Sequence, residues 1–138
     1  MRLQVEVSGM TRQLALIAIL VPDYEAGIAF FVGQLGFCLL EDTDLGDGKR
    51  WVRVGPDGPQ TAFLLAKAVG PEQRAAIGNQ GGGRVWLFLQ TDDFARDYAA
   101  MKAKDVVFEE TPRDKPYGQV AVFRDPFGNR WDLIQFKG

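Results

Sequence analysis

The sequence predicts an α+β protein built from two tandem βαβββ modules, and three observations carry that prediction. The first is an internal repeat. Asp23-Tyr24 recurs as Asp93-Phe94, the apolar series Tyr24, Ile28, Phe31 recurs as Phe94, Tyr98, Met101, and Val52 recurs as Val122, every pair lying 70 positions apart. Pro56-Asp57-Gly58 keeps the same spacing to Pro126-Phe127-Gly128. A register shared by a helix, a strand and a turn marks two copies of one unit. The second observation is the order of hydrophobic periods, which passes from strand to helix to several strands in each copy. The third is the stretch AVFRDPFGNRWDLIQF near the end of the chain. Its alternating apolar arms flank Asp-Pro-Phe-Gly-Asn, the composition of a tight turn between two strands.

In the first copy (12–68), the apolar run 14–21 reads as a buried strand. Asp23 is placed to cap a helix on which Tyr24, Ile28, Phe31 and Leu35 recur at i, i+4, i+7 and i+11, a core-facing stripe. Gly36 ends that helix, and strands follow over 37–41, 50–54 and 61–66, the last two joined by the turn Gly55-Pro56-Asp57-Gly58. The second copy (84–137) repeats this order, with a strand over 84–90, a helix over 93–104, a strand over 106–110 and the closing hairpin. Between the copies, 69–83 reads as a linker with a short polar helix over 71–77 and a flexible Gly81-Gly82-Gly83. A phosphate-binding loop would feed a helix N-terminus, whereas this glycine run feeds a strand. Residues 1–9, ahead of Met10, read either as a short extra strand or as an extension from an upstream start.

With 138 residues, 46% hydrophobic and 25% charged, the chain has the composition of one globular domain. A net charge of −2 gives no electrostatic footprint for nucleic acid or an anionic membrane surface. No apolar run is long enough to cross a bilayer. The single cysteine, Cys38, excludes an internal disulfide and reads as a small buried hydrophobe; a cytoplasmic location is the expectation. The chain has no histidine, so neither a Ser-His-Asp nor a Cys-His arrangement is available.

Three motifs together resemble the vicinal oxygen chelate superfamily, which includes glyoxalase I, extradiol dioxygenases and bleomycin-resistance proteins. They are Asp23-Tyr24 with the stripe ending in Leu35-Gly36-Phe37, then Thr91-Asp92-Asp93-Phe94, then Asp125-Pro126-Phe127-Gly128-Asn129. The resemblance spans about 12–137 and implies that the strands form an open barrel-like cup around a pocket, in a protein that is commonly a homodimer. It also implies where enzymes of the superfamily hold a metal. One ligand lies seven residues before the helix-opening Asp, which here is Leu16; its second-module counterpart is Trp86; a third belongs on strand 61–66; the fourth is Asp132.

A transition-metal site needs three or more N, O or S ligands, and these positions supply one carboxylate. The expectation is therefore a metal-independent, cofactor-free protein that binds a small aromatic or cationic compound in its cup. Leu16, Trp51, Phe63, Trp86, Tyr117 and Phe123 are the candidate ligand-binding residues. Asp132 is the candidate catalytic or cation-binding carboxylate, Arg53 and Arg84 are candidate anion clamps, and Glu41 and Asp92 are their candidate internal partners. The alternatives are a lyase, isomerase or oxygenase with unusual metal ligands or with acid-base chemistry at Asp132, and a structural or regulatory protein whose cup is filled by its own side chains.

Overall fold

The computed structural model describes residues 12–138; the reading of 1–9 lies outside them. Strand β1 (Leu16–Val21) leads into helix α1 (Tyr24–Ile28), whose first turn is closed by the Asp23 carboxylate accepting the Ala26 N–H at 2.7 Å. The helix then widens into a π-helical segment, Ala29–Gln34, in which Leu35 N–H reaches back to the Phe30 carbonyl. This changes the predicted stripe. The wider turn brings Phe30 and Phe31 both into the core and leaves Ile28 and Leu35 only partly buried. Gly36, at φ +82°, ends the segment. Three strands follow: β2 (Cys38–Gly46), β3 (Lys49–Gly55) and β4 (Ala62–Lys67).

Helix α2 (Gly70–Ala76) begins the connection to the second module: β5 (Val85–Gln90), α3 (Phe94–Ala103), β6 (Val107–Phe108), β7 (Arg113–Lys115), β8 (Gly118–Arg124) and β9 (Arg130–Phe136). The strand predicted over 106–110 is thus much shorter, and a further short strand, β7, follows it. The Glu110 carboxylate occupies the Val122 N–H at 2.9 Å, so a side chain satisfies backbone of β8 where the ladder stops.

Both modules close in the same way. The first forms a four-stranded sheet in the order β1-β4-β3-β2, the second a sheet in the order β5-β9-β8-β6 with β7 also on β8. In each, the first strand lies parallel to the last and the remaining pairs are antiparallel. One face of each sheet packs on its helix, and among the described residues the other is helix-free. Alternation along the strands assigns the side chains: Ile19, Val21, Val52, Val54, Phe63 and Leu65 point to the helix side, whereas Leu16, Trp51, Arg53 and Ala62 point away.

A single aromatic cluster joins the modules. The Phe31 ring lies 6.0 Å from those of Phe37, Phe63 and Trp131, and Trp131 in turn lies 5.7 Å from Phe63 and 5.5 Å from Phe123. Each such side chain, fully buried, contributes roughly 1.5–3 kcal/mol by leaving water. The connection between the modules is ordered by its own contacts. The Gln80 amide bonds both Leu20 N–H and the Ala18 carbonyl, so a side chain covers the free edge of β1.

Candidate functional site

The predicted residues divide between two helix-free faces and the core. Leu16, the Cα partner of Ala62, stands at the start of β1, and both line a cavity of about 550 Å³ with Leu40, Trp51, and the ion-paired Arg53 and Glu41 (2.9 Å). Arg53 therefore has an internal partner of the kind expected, and it draws the Glu41 carboxyl below the ordinary carboxylate range. Asp92 pairs with Arg96 rather than Arg84. Trp51 is 37% exposed, an indole presented to solvent. Phe63 is on the helix side; it lines a second cavity, of about 380 Å³, at the seam between modules beside Trp131, Leu87 and Phe88. Phe123 is fully buried under Trp131, and Tyr117 is half exposed just before β8.

In the second module Asp132 lies on the helix-free face and is only 8% exposed, opposite Val122 on β8 and Phe88 on β5. Its Oδ1 accepts no hydrogen bond among the described residues. Burial pushes its carboxyl above the usual range; Glu110 adds to this, while Arg113 and Arg130 oppose it without reversing it. Trp86 does not share that face row. A register shift between Val85 and Leu87 takes Trp86 out of the ladder and packs it against the core. Phe88, 64% exposed, is the residue beside Asp132. Sequence reasoning missed Phe88 because the 70-residue repeat carries Leu16 onto position 86, and residue types alone do not reveal a bulge. The cavity at Leu16 reaches neither Trp86 nor Asp132.

The turn motif has another role. Asp125, 3% exposed, accepts the N–H groups of Phe127, Gly128 and Asn129 through Oδ1, and the Asn129 amide and Trp131 indole N–H through Oδ2. It is a latch that orients Trp131. Cys38 is also committed: its thiol donates to the Asp57 carboxylate at 2.7 Å, and that bond, with burial and the Asp57 charge, pushes the thiol up, away from the thiolate.

Two open βαβββ sheets, each packed on its helix and joined through one core, with a cavity of about 550 Å³ on the opposite face of the first, define a paired-module α+β scaffold. The profile of the Glyoxalase/Bleomycin resistance protein/Dioxygenase superfamily matches residues 13–133, and the chain belongs to that superfamily. It is 49% identical over 128 residues to an uncharacterized protein of Shewanella frigidimarina (strain NCIMB 400), covering 91% of this chain and 95% of that one. Among solved structures it is similar to UcmS2, with a TM-score of 0.77 and 30% identity over 91% of this chain and 98% of that one. It is also similar to TnmS3, an antibiotic binding protein from Streptomyces sp. CB03234, with a TM-score of 0.72 and 30% identity over 95% and 100% of the two chains.

Metal chemistry occurs in this superfamily, so the donor set bears on function. Leu16 and Ala62 supply no donor atom in the first module, and the two residues paired with Asp132 are Val122 and Phe88. Among the described residues no three His, Cys, Asp or Glu side chains come together. The set does not fit a transition metal, which asks for three or more such ligands.

Proposed function

We propose that the protein binds a small, planar, largely apolar compound without a metal, and that the cup is completed by a second copy of the chain. The observation that carries this reading is the cavity of about 550 Å³ lined by the apolar pair Leu16–Ala62, by Leu40 and by the exposed Trp51 indole. That volume is in the range of small-molecule sites, and an indole open to solvent offers a stacking face at little conformational cost. The likeness to an antibiotic binding protein over nearly the whole chain supports it. Asp132 would receive a cationic or hydrogen-bond-donating group of the ligand, since its buried Oδ1 has an unused acceptor position.

A thermal-shift screen of planar aromatic compounds tests the reading. At least one compound should raise the melting temperature saturably, because selective binding to the folded state must stabilise it. Trp51→Ala should then weaken that compound about tenfold or more. A panel in which nothing stabilises the protein, or a hit indifferent to Trp51→Ala, would sink it. A second reading, metal-free acid-base catalysis, draws on the Asp132 carboxyl being pushed above the ordinary carboxylate range, chiefly by burial. It predicts a turnover abolished by Asp132→Asn while ligand binding persists.

A further inference from the structure

We propose a second binding site, for a planar organic anion, in the cleft where strands β3 and β4 part. The ladder between them consists of Val54↔Phe63, Arg53↔Leu64 and Val52↔Leu65 and goes no further. Strand β3 nevertheless continues with β2 as far as Lys49↔Gly46, and β4 continues with β1 as far as Lys67↔Val21. The β2–β3 arm therefore leaves the sheet beyond Val52. The Arg50 N–H is taken instead by the Tyr24 hydroxyl at 3.2 Å. The wedge between the parted strands is a cavity of about 730 Å³, a volume suited to a drug-sized ligand.

The chemistry of its walls selects the ligand. Leu45, Trp51, Leu64 and Val69 give it apolar surface, and three of these remain open to solvent: Leu45 at 52%, Trp51 at 37% and Val69 at 72% exposed. Lys49 and Lys67 also line it, and among the described residues neither makes an ion pair. Arg50 is already engaged, by Asp42 at 2.6 Å and Glu25 at 2.5 Å, and its guanidinium lies 5.3 Å from the centre of the Tyr24 ring. Among the described residues Asp47, in the β2–β3 turn, is the one carboxylate lining the cleft, so the two lysine ammonium groups outweigh it. Exposed apolar surface beside uncompensated positive charge fits a flat aromatic body carrying a carboxylate, sulfonate or phosphate. The site shares only the Trp51 indole with the cavity at Leu16 and differs from it in the charge it selects.

The test is a fluorescence titration of the full chain with 8-anilinonaphthalene-1-sulfonate, an aromatic anion, alongside the uncharged N-phenyl-1-naphthylamine. One anionic dye should bind per chain. The double variant Lys49→Gln/Lys67→Gln should weaken it at least tenfold while changing the neutral dye less than twofold, and added salt should reproduce part of the loss. Val69→Asp, which sets a negative charge at the mouth, should also lower affinity for the anion. Both changes lie on exposed residues, and an unchanged circular dichroism melt confirms the fold. A loss below tenfold, or an equal loss for the neutral dye, overturns the proposal. Dependence on Trp51 without dependence on the lysines overturns it too, while leaving the cavity at Leu16 standing.

Discussion

Asp132 and Asp125 lie seven residues apart on one hairpin and show how burial gives two carboxylates opposite fates. Asp125 receives five hydrogen bonds; Asp132 Oδ1 receives none among the described residues. Asp125→Ala should therefore cost about 3 kcal/mol, since it strands a buried indole N–H and turn amides without partners. Urea denaturation reads that cost, and loss of the Trp131 near-ultraviolet signal should accompany it. For Asp132 the sign is reversed. Its folded-state pKa is raised, chiefly by burial, so its contribution is fully present below the unfolded carboxylate value and is lost as pH rises through the folded one. Asp132→Asn should accordingly raise the melting temperature at pH 7 by about 2–5 °C, and the gain should vanish near pH 3. An equal gain at both pH values would refute the buried-charge account. The motif residues were legible in sequence, but only their surroundings separate latch from site.

At the scale of elements, the connection between the modules behaves as structure rather than tether. The residues 81–83 look flexible by composition, yet a Cβ at Gly81 would meet the Trp86 Cβ at 2.7 Å. Gly78, at φ +72°, passes so close to the closing turn that a Cβ there would lie 1.8 Å from the Phe127 carbonyl oxygen. Gly78→Ala should thus cost at least about 2 kcal/mol, through both the backbone conformation and the clash, readable as a lowered urea midpoint. A neutral result would show that the connection moves freely past the hairpin. The strand and helix order was readable from hydrophobic period, because a face in contact with a core imposes that period. The π-helical widening after Ile28 and the shift at Trp86 were not, since each is a local change of register that residue types scarcely disfavour.

For the whole molecule, the helix-free faces of the two sheets carry Trp51 and Leu16 on one side and Phe88 beside Asp132 on the other. A second copy that lays one face over the other would cover Phe88 and bring the Trp51 cavity toward Asp132. Sedimentation should then give twice the 15.3 kDa chain mass, and Phe88→Asp should shift the equilibrium to monomer by tenfold or more in dissociation constant. A wild-type chain that sediments at its own mass at micromolar concentration would rule this arrangement out.

The sequence by itself determined the architecture: a repeat at one spacing, an alternating hairpin and two capped helices admit few ways to bury their apolar faces. It also determined the lack of imidazoles, and with it the thin donor set expected from Leu16, Trp86, strand 61–66 and Asp132. Only the tertiary structure decided which aromatics belong to the core and which to a surface. Phe63 and Phe123 turn inward and Trp51 and Phe88 outward, although all four sit on strands and look alike in sequence. The parting of β3 from β4 likewise has no sequence signature. Strand pairing depends on the register of distant segments, and a register is set by the packing of the whole sheet on its helix.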